Sequence, residues 1–205
     1  MTQPAVFINC PFTPDYQTHF RAIVFTVSRS GLKPRSALEA DDASQNRFEK
    51  ICQIIGECSY GIHDISMTEL DPGSGLPRFN MPLELGVYLA AKKFGGERQR
   101  TKKCLIFDSA PHRYQQFISD IAGQDIHSHA GQVDKLIEEA AKWLRDEARR
   151  PNIPGGRAIA GEFHRFAAEL SDICAAKRLH PEELTFQDYR AIAAEWIVAE
   201  SAANG

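Results

Sequence analysis

Two carboxylates, Asp64 and Glu84, are the residues best placed by sequence to do chemistry. Asp64 falls near the end of Ser59-Tyr60-Gly61-Ile62-His63-Asp64-Ile65-Ser66, which reads as a strand. Glu84 falls in Leu76-Pro77-Arg78-Phe79-Asn80-Met81-Pro82-Leu83-Glu84-Leu85-Gly86, a loop leading into a helix. In an open α/β sheet ligands bind at the carboxyl ends of strands, so both acids are expected to border one crevice. There a carboxylate can move a proton, trap an electrophilic carbon or stabilise a developing positive charge. Asn80 is the candidate N-cap, and Pro82 suits a first turn, where its missing N–H has no intrahelical partner. On that frame Glu84 lies in the first turn, where burial raises its pKa and the helix dipole lowers it. The residue order does not say which prevails.

Other candidates surround this pair. Asn9-Cys10-Pro11-Phe12-Thr13-Pro14-Asp15-Tyr16 leaves another strand end and should line the same crevice. Phe12 or Tyr16 could stack on a planar base there, or belong to the core. Arg78 could grip a phosphate with two parallel hydrogen bonds, or stand in solvent. Cys10 has no evident activating partner, and strand alternation turns His63 to the sheet face opposite Asp64. His127 and His129 are spaced for a metal pair, although a Ser-rich surface loop explains them more simply. Lys92, Lys93, Arg98, Arg100, Lys102 and Lys103 read as a solvated basic run. Neither a dinucleotide glycine fingerprint nor a Walker pattern follows the first strand, and no cofactor or metal is implied.

Asp64, the loop and Arg78-Phe79-Asn80-Met81-Pro82-Leu83-Glu84-Leu85-Gly86 resemble the nucleoside 2-deoxyribosyltransferase family and its TIR-like relatives. The likeness spans roughly residues 5 to 110 and rests on a short Glu-Leu-Gly element. It implies that Glu84 attacks the anomeric carbon of a nucleoside, or supports loss of nicotinamide from NAD. Asp64 would then orient the sugar hydroxyls or protonate the leaving base, and Asn80 would bind the sugar or position Glu84. Two departures stand out. The loop from Ser66 to Phe79 lacks the short Asp-containing segment of the transferases, its only acid near that role being Asp71, and a helical tail follows the shared region. The expected function is therefore processing of an N-glycosidic bond in a nucleoside, nucleotide or NAD. The alternatives are a non-catalytic nucleotide-sensing module that signals through its tail, and a subunit with a vestigial pocket.

The elements that must position these residues alternate along the chain. Ala5 to Asn9, Leu32 to Leu38, the run ending at Asp64, and Cys104 to Asp108 read as strands, Pro34 placing the second at an edge. Helical spacing links Tyr16, Phe20, Ile23, Val24 and Val27; then Phe48, Ile51, Cys52 and Ile55; then Leu83, Val87, Ala90, Ala91 and Phe94, with Gly86 allowing close approach to the sheet. Val133, Leu136, Ile137, Ala140 and Leu144 mark a further helix. This alternation predicts a flavodoxin-like, doubly wound parallel sheet of at least four strands over residues 1–150. The stretch Arg150-Pro151-Asn152-Ile153-Pro154-Gly155-Gly156 reads as a linker to a helical appendage over 157–205. Thr185 and Asp188 form a candidate capping box there.

At 205 residues the chain can bury one good core and carry an appendage. A net charge of −3 offers no bulk attraction to nucleic acid or anionic membrane. No apolar run approaches a membrane span, and five scattered cysteines fit a reducing compartment, so a cytoplasmic location is expected. Phe163, Phe166, Tyr189 and Trp196 predict more apolar surface than one small domain covers, and hence self-association into a homo-oligomer.

Overall fold

The computed structural model describes residues 3–39, 44–70, 73 and 75–203. Asp71 lies outside the described residues. Five strands form one all-parallel sheet: β1 (Ala5–Asn9), β2 (Lys33–Ser36), β3 (Tyr60–Asp64), β4 (Lys103–Asp108) and β5 (Ile126–Ser128), in the order β2-β1-β3-β4-β5. This is the flavodoxin-like doubly wound arrangement. Pro34 does sit on the edge strand, paired with Val6. The fifth strand was not expected. It is three half-buried residues beginning at Ile126, too short to show a period of two.

Helix α1 (Gln17–Arg29) packs on one face of the sheet with α5 (Val133–Glu147), while α2 (Arg47–Glu57) and α3 (Asn80–Phe94) cover the other. A short helix, α4 (Glu97–Arg100), leads into β4. The strand interiors are apolar because both faces are covered, so Val6, Phe7, Ile8 and Ile62 are all sealed. Gly61 is needed where Tyr88 of α3 crosses β3. A Cβ there would lie 2.6 Å from His63 Nε2 and 2.9 Å from the Tyr88 ring.

The helix faces differ in part from their expected stripes. Phe48, Leu83 and Phe94 are exposed, and α3 instead buries Met81, Glu84, Leu85 and Tyr88. Gly86 points outward with open space around it, so it brings no backbone close to the sheet. Within the basic run, Lys102 is fully buried. Its ammonium donates to the carbonyls of Ile55 (2.5 Å) and Cys58, which makes it a tie between α2 and β4 rather than a solvated charge.

The tail forms α6 (Gly156–Ala176) and α7 (Phe186–Ala203), and no strand occurs among its described residues. The capping box is present: Asp188 N–H donates to Thr185 Oγ1 at 3.2 Å, and Thr185 N–H returns to Asp188 Oδ2 at 3.0 Å. These helices share one core with α1 and α5. Phe25 of α1 packs against Phe163, Phe166 and Trp196, with ring centroids 5.3–5.9 Å apart. Arg29 Nε also donates to Glu162 Oε2 at 2.5 Å. Each buried aromatic contributes roughly 1.5–3 kcal/mol, so the tail belongs to the main core energetically. Phe163, Phe166, Tyr189 and Trp196 are buried within the chain. The surface that argued for self-association is thus covered in cis. Among the described residues no helix is long and apolar enough to cross a membrane.

Candidate functional site

The chain changes sheet face between β1 and β3, since α1 follows β1 on one side and α3 follows β3 on the other. That switch point opens a cleft at the carboxyl edge of the sheet, where ligands of such folds bind. The cleft holds about 400 Å³ and is bounded by the loop after β1 and the start of α3. Asn9, Cys10, Phe12, Arg78, Asn80 and Glu84 all line it, together with Arg47 and Glu69.

Glu84 is the group of chemical interest. Its residue is only 7% exposed, and its Oε2 is buried with no hydrogen-bond partner among the described residues. Burial pushes its pKa up to about 7, and the Arg47 guanidinium offsets only part of this. The helix dipole does not rescue the charge because α3 begins one residue earlier than expected. Phe79 occupies the N-cap position without a side-chain hydrogen bond, and Asn80 is the first helical residue. Glu84 accordingly sits beyond the first turn, where the dipole has faded. Asn80 is therefore a cleft residue and not the cap. Pro82 still fits, since the first intrahelical bond is Leu83 N–H to Phe79 C=O at 2.9 Å.

Asn9 fixes this helix to the sheet. Its Nδ2 donates to Met81 C=O at 2.8 Å and to His63 Nδ1 at 3.0 Å. Because Met81 C=O can only accept, the amide nitrogen faces both partners, and His63 Nδ1 must also accept. Burial, aided by the Lys102 charge, lowers the His63 pKa to about 3. The ring is neutral, and its Nδ1 is already occupied, which removes His63 as a base. Cys10 is buried as well. Burial first, then the Asp64 and Glu84 charges, raise its pKa well above the usual thiol value, so it stays protonated and is no nucleophile.

Asp64 does not share the cleft. Alternation along β3 turns it to the α1/α5 face, whereas Glu84 descends on the opposite face. It is fully buried and accepts from the Tyr16 hydroxyl and from Ser66 N–H at 2.8 Å, with His129 Nε2 lying 3.1 Å from its Oδ2. Burial alone would raise its pKa, but the His129, Ser66 and Tyr16 contacts outweigh it and hold the carboxyl below its usual value. The expectation that both acids border one crevice is corrected on this point. Tyr16 likewise turns inward to Asp64 and against His19, 4.9 Å between ring centroids, so it offers no face to a base. Phe12, 38% exposed on the cleft wall, keeps that possibility.

Two residues of this region escaped sequence reasoning. His129 is 3% exposed and directly supports Asp64; its Nδ1 accepts Gly131 N–H at 3.0 Å. The His-Ser-His spacing drew attention to it, but only as a loop or metal ligand. Arg113 donates to Asp108 Oδ1 (2.7 Å), Ile65 C=O (2.8 Å) and Glu69 Oε1 (2.9 Å), bracing the loop that carries one cleft wall. No sequence pattern marks it, since its partners lie 5 to 48 positions away. Among the described residues no group of three potential metal ligands converges.

No family model, curated protein or solved structure matches the chain. The likeness to the deoxyribosyltransferase and TIR-like families thus rests on the segments around Asp64 and Glu84 alone, of which only Glu84 lines the cleft.

Proposed function

We propose that the protein processes the N-glycosidic bond of a nucleoside, nucleotide or NAD, with Glu84 as the reacting carboxylate. The observation that carries this reading is a buried carboxylate on a cleft wall whose Oε2 has no hydrogen-bond partner among the described residues. Such a group costs stability in an empty site and gains its partner when a cation-like centre arrives. As the C–N bond breaks, its electron pair leaves with the base, and the anomeric carbon gains oxocarbenium character. The Glu84 carboxylate, once ionised, can form a C–O bond to that carbon or stabilise its charge until water or an acceptor base attacks. Asn80 stands close enough along α3 to contact the sugar, and Arg47 and Arg78 bring positive charge suited to a phosphate-bearing substrate. Asp64 acts at one remove: through Tyr16 it holds the far end of the loop that supplies Asn9 to Asp15.

The test is incubation of the purified protein with deoxynucleosides, nucleotides and NAD, with free base measured by chromatography. Base released in water marks a hydrolase, and base exchanged only with an acceptor marks a transferase. Binding with no release favours the sensing module and overturns the enzyme. Because the acid must ionise, activity is expected to climb with pH through about 7.

A further inference from the structure

Beside the cleft lies a second cavity of about 380 Å³, and the two share a wall, since Phe12, Thr13 and Pro14 line both. Its opposite wall comes from the tail, through Leu184, Phe186 and Tyr189. Phe20 of α1 and Phe186 of α7 form one aromatic corner, with centroids 6.0 Å apart and planes tilted by 31°. Leu38, 40% exposed, closes the apolar lining from the end of β2. Gln17 and Arg21 supply polar edges. Arg21 is held in place, its Nη2 donating to Pro181 C=O at 2.6 Å and its guanidinium lying 5.4 Å from the Tyr189 ring centre.

Apolar walls, aromatic corners and a few fixed polar groups make a slot suited to one planar ring system. The first cavity carries the carboxylates of Asp15, Glu69 and Glu84 with Arg47 and Arg78, while the second is the more apolar of the two and bears Gln17, Arg21 and Glu182 at its edge. Resting on the glycosidic reading of the cleft, we propose that the tail builds a second subsite for the distal ring of a two-ring ligand. The ligand is of the dinucleotide class, lying across Phe12 with its reacting sugar at Glu84. The helical tail then selects substrate, and a single nucleoside fills only half of the available surface.

Equilibrium dialysis with the full chain carrying Glu84→Gln tests this without consuming ligand. The probes are NAD and diadenosine diphosphate against adenosine monophosphate and nicotinamide mononucleotide. At least one dinucleotide is expected to bind about tenfold more tightly than the tighter of its halves. Leu184→Arg, which fills the second cavity, and Leu38→Glu, at its exposed rim, should each abolish that preference while leaving the affinity for nicotinamide mononucleotide, the half whose sugar lies at Glu84, unchanged. Dinucleotides that bind no better than their halves, or a preference that survives both substitutions, overturn the second subsite. Base release by the wild-type chain is read separately. Release without dinucleotide preference overturns the subsite and keeps the glycosidic reading, whereas preference without release does the reverse.

Discussion

Asp64 and Glu84 stand at the same end of the sheet, on opposite faces, and burial acts on both. Around Asp64 the protein supplies two hydrogen bonds and the nearby His129 ring, and the carboxyl is held below its usual pKa. Around Glu84 it leaves an oxygen bare, and the same burial drives the acid towards neutrality. Two acids from one edge of one sheet thus divide the work. The satisfied one fixes a loop, and the other keeps an oxygen without a partner among the described residues.

The sharpest way to break this comparison is Glu84→Gln. With an N-glycosidic substrate, loss of the charge should lower the rate roughly a thousandfold, about 4 kcal/mol in the barrier. A variant that keeps most of its base release shows that the reacting group lies elsewhere. The matching test on the other face is Asp64→Ala, which strands His129 and the Tyr16 hydroxyl in the core. It should cost about 3 kcal/mol or more in urea unfolding. If stability holds within 1 kcal/mol of wild type, about the size of one ordinary hydrogen bond, the network is not structural.

The pH dependence of stability separates the two acids by sign. Glu84 has a folded pKa of about 7, above its unfolded value near 4.5, so its contribution is fully present below pH 4.5 and is lost as pH rises to about 7. Relative to wild type, Glu84→Gln should therefore gain up to about 3 kcal/mol at pH 8, and the gain should shrink towards pH 4. Asp64 behaves oppositely: its depressed pKa stabilises the fold above the unfolded value near 3.8, and this is lost as pH falls through the folded value. Denaturant titrations at pH 8 and pH 4 read the Glu84 effect, and the Asp64 loss is read only below about pH 3.8; a Glu84→Gln variant less stable than wild type at pH 8 contradicts the assignment. The smallest effect belongs to Tyr16→Phe. Removing one of the two hydrogen bonds to a buried carboxylate should cost about 1–2 kcal/mol and leave the cleft acid untouched. A change in the pH profile of activity in that variant would mean that the two faces are coupled.

The sheet and its helices were legible because the buried strands are short apolar runs and the helices carry regular stripes. Glu84, Asn9 and the loop after β1 were legible for a related reason: they end or follow such elements, and strand ends meet at a switch point. Asp64 was misplaced although the alternation that turned His63 away from it was already visible. Applied to α3, the same alternation puts Glu84 on the face of His63 and Asn9, not on the face of Asp64. Asn80 was misread because an Asn before a Pro is a good cap by type, and only backbone geometry shows the helix entered at Phe79. His129 and Arg113 act through partners distant in sequence, and no local pattern encodes such contacts. The tail's helices were evident, but its destination was not, because an apolar stripe looks the same whether it meets α1 or another subunit.

The contact between Phe25 and Trp196 bears on how the chain is made. A ribosome delivers the sheet's first strand and α1 long before α7, yet part of the hydrophobic surface of α1, around Phe25, is closed by α6 and α7. During synthesis the early half must wait with Phe25 uncovered, a state prone to sticking to itself or to other nascent chains. Closing so long a segment also places the final docking among the slow, non-local steps of folding. The helices that complete this core are thus made well after the sheet and α1 that they cover, and the interval before they emerge is the exposed one.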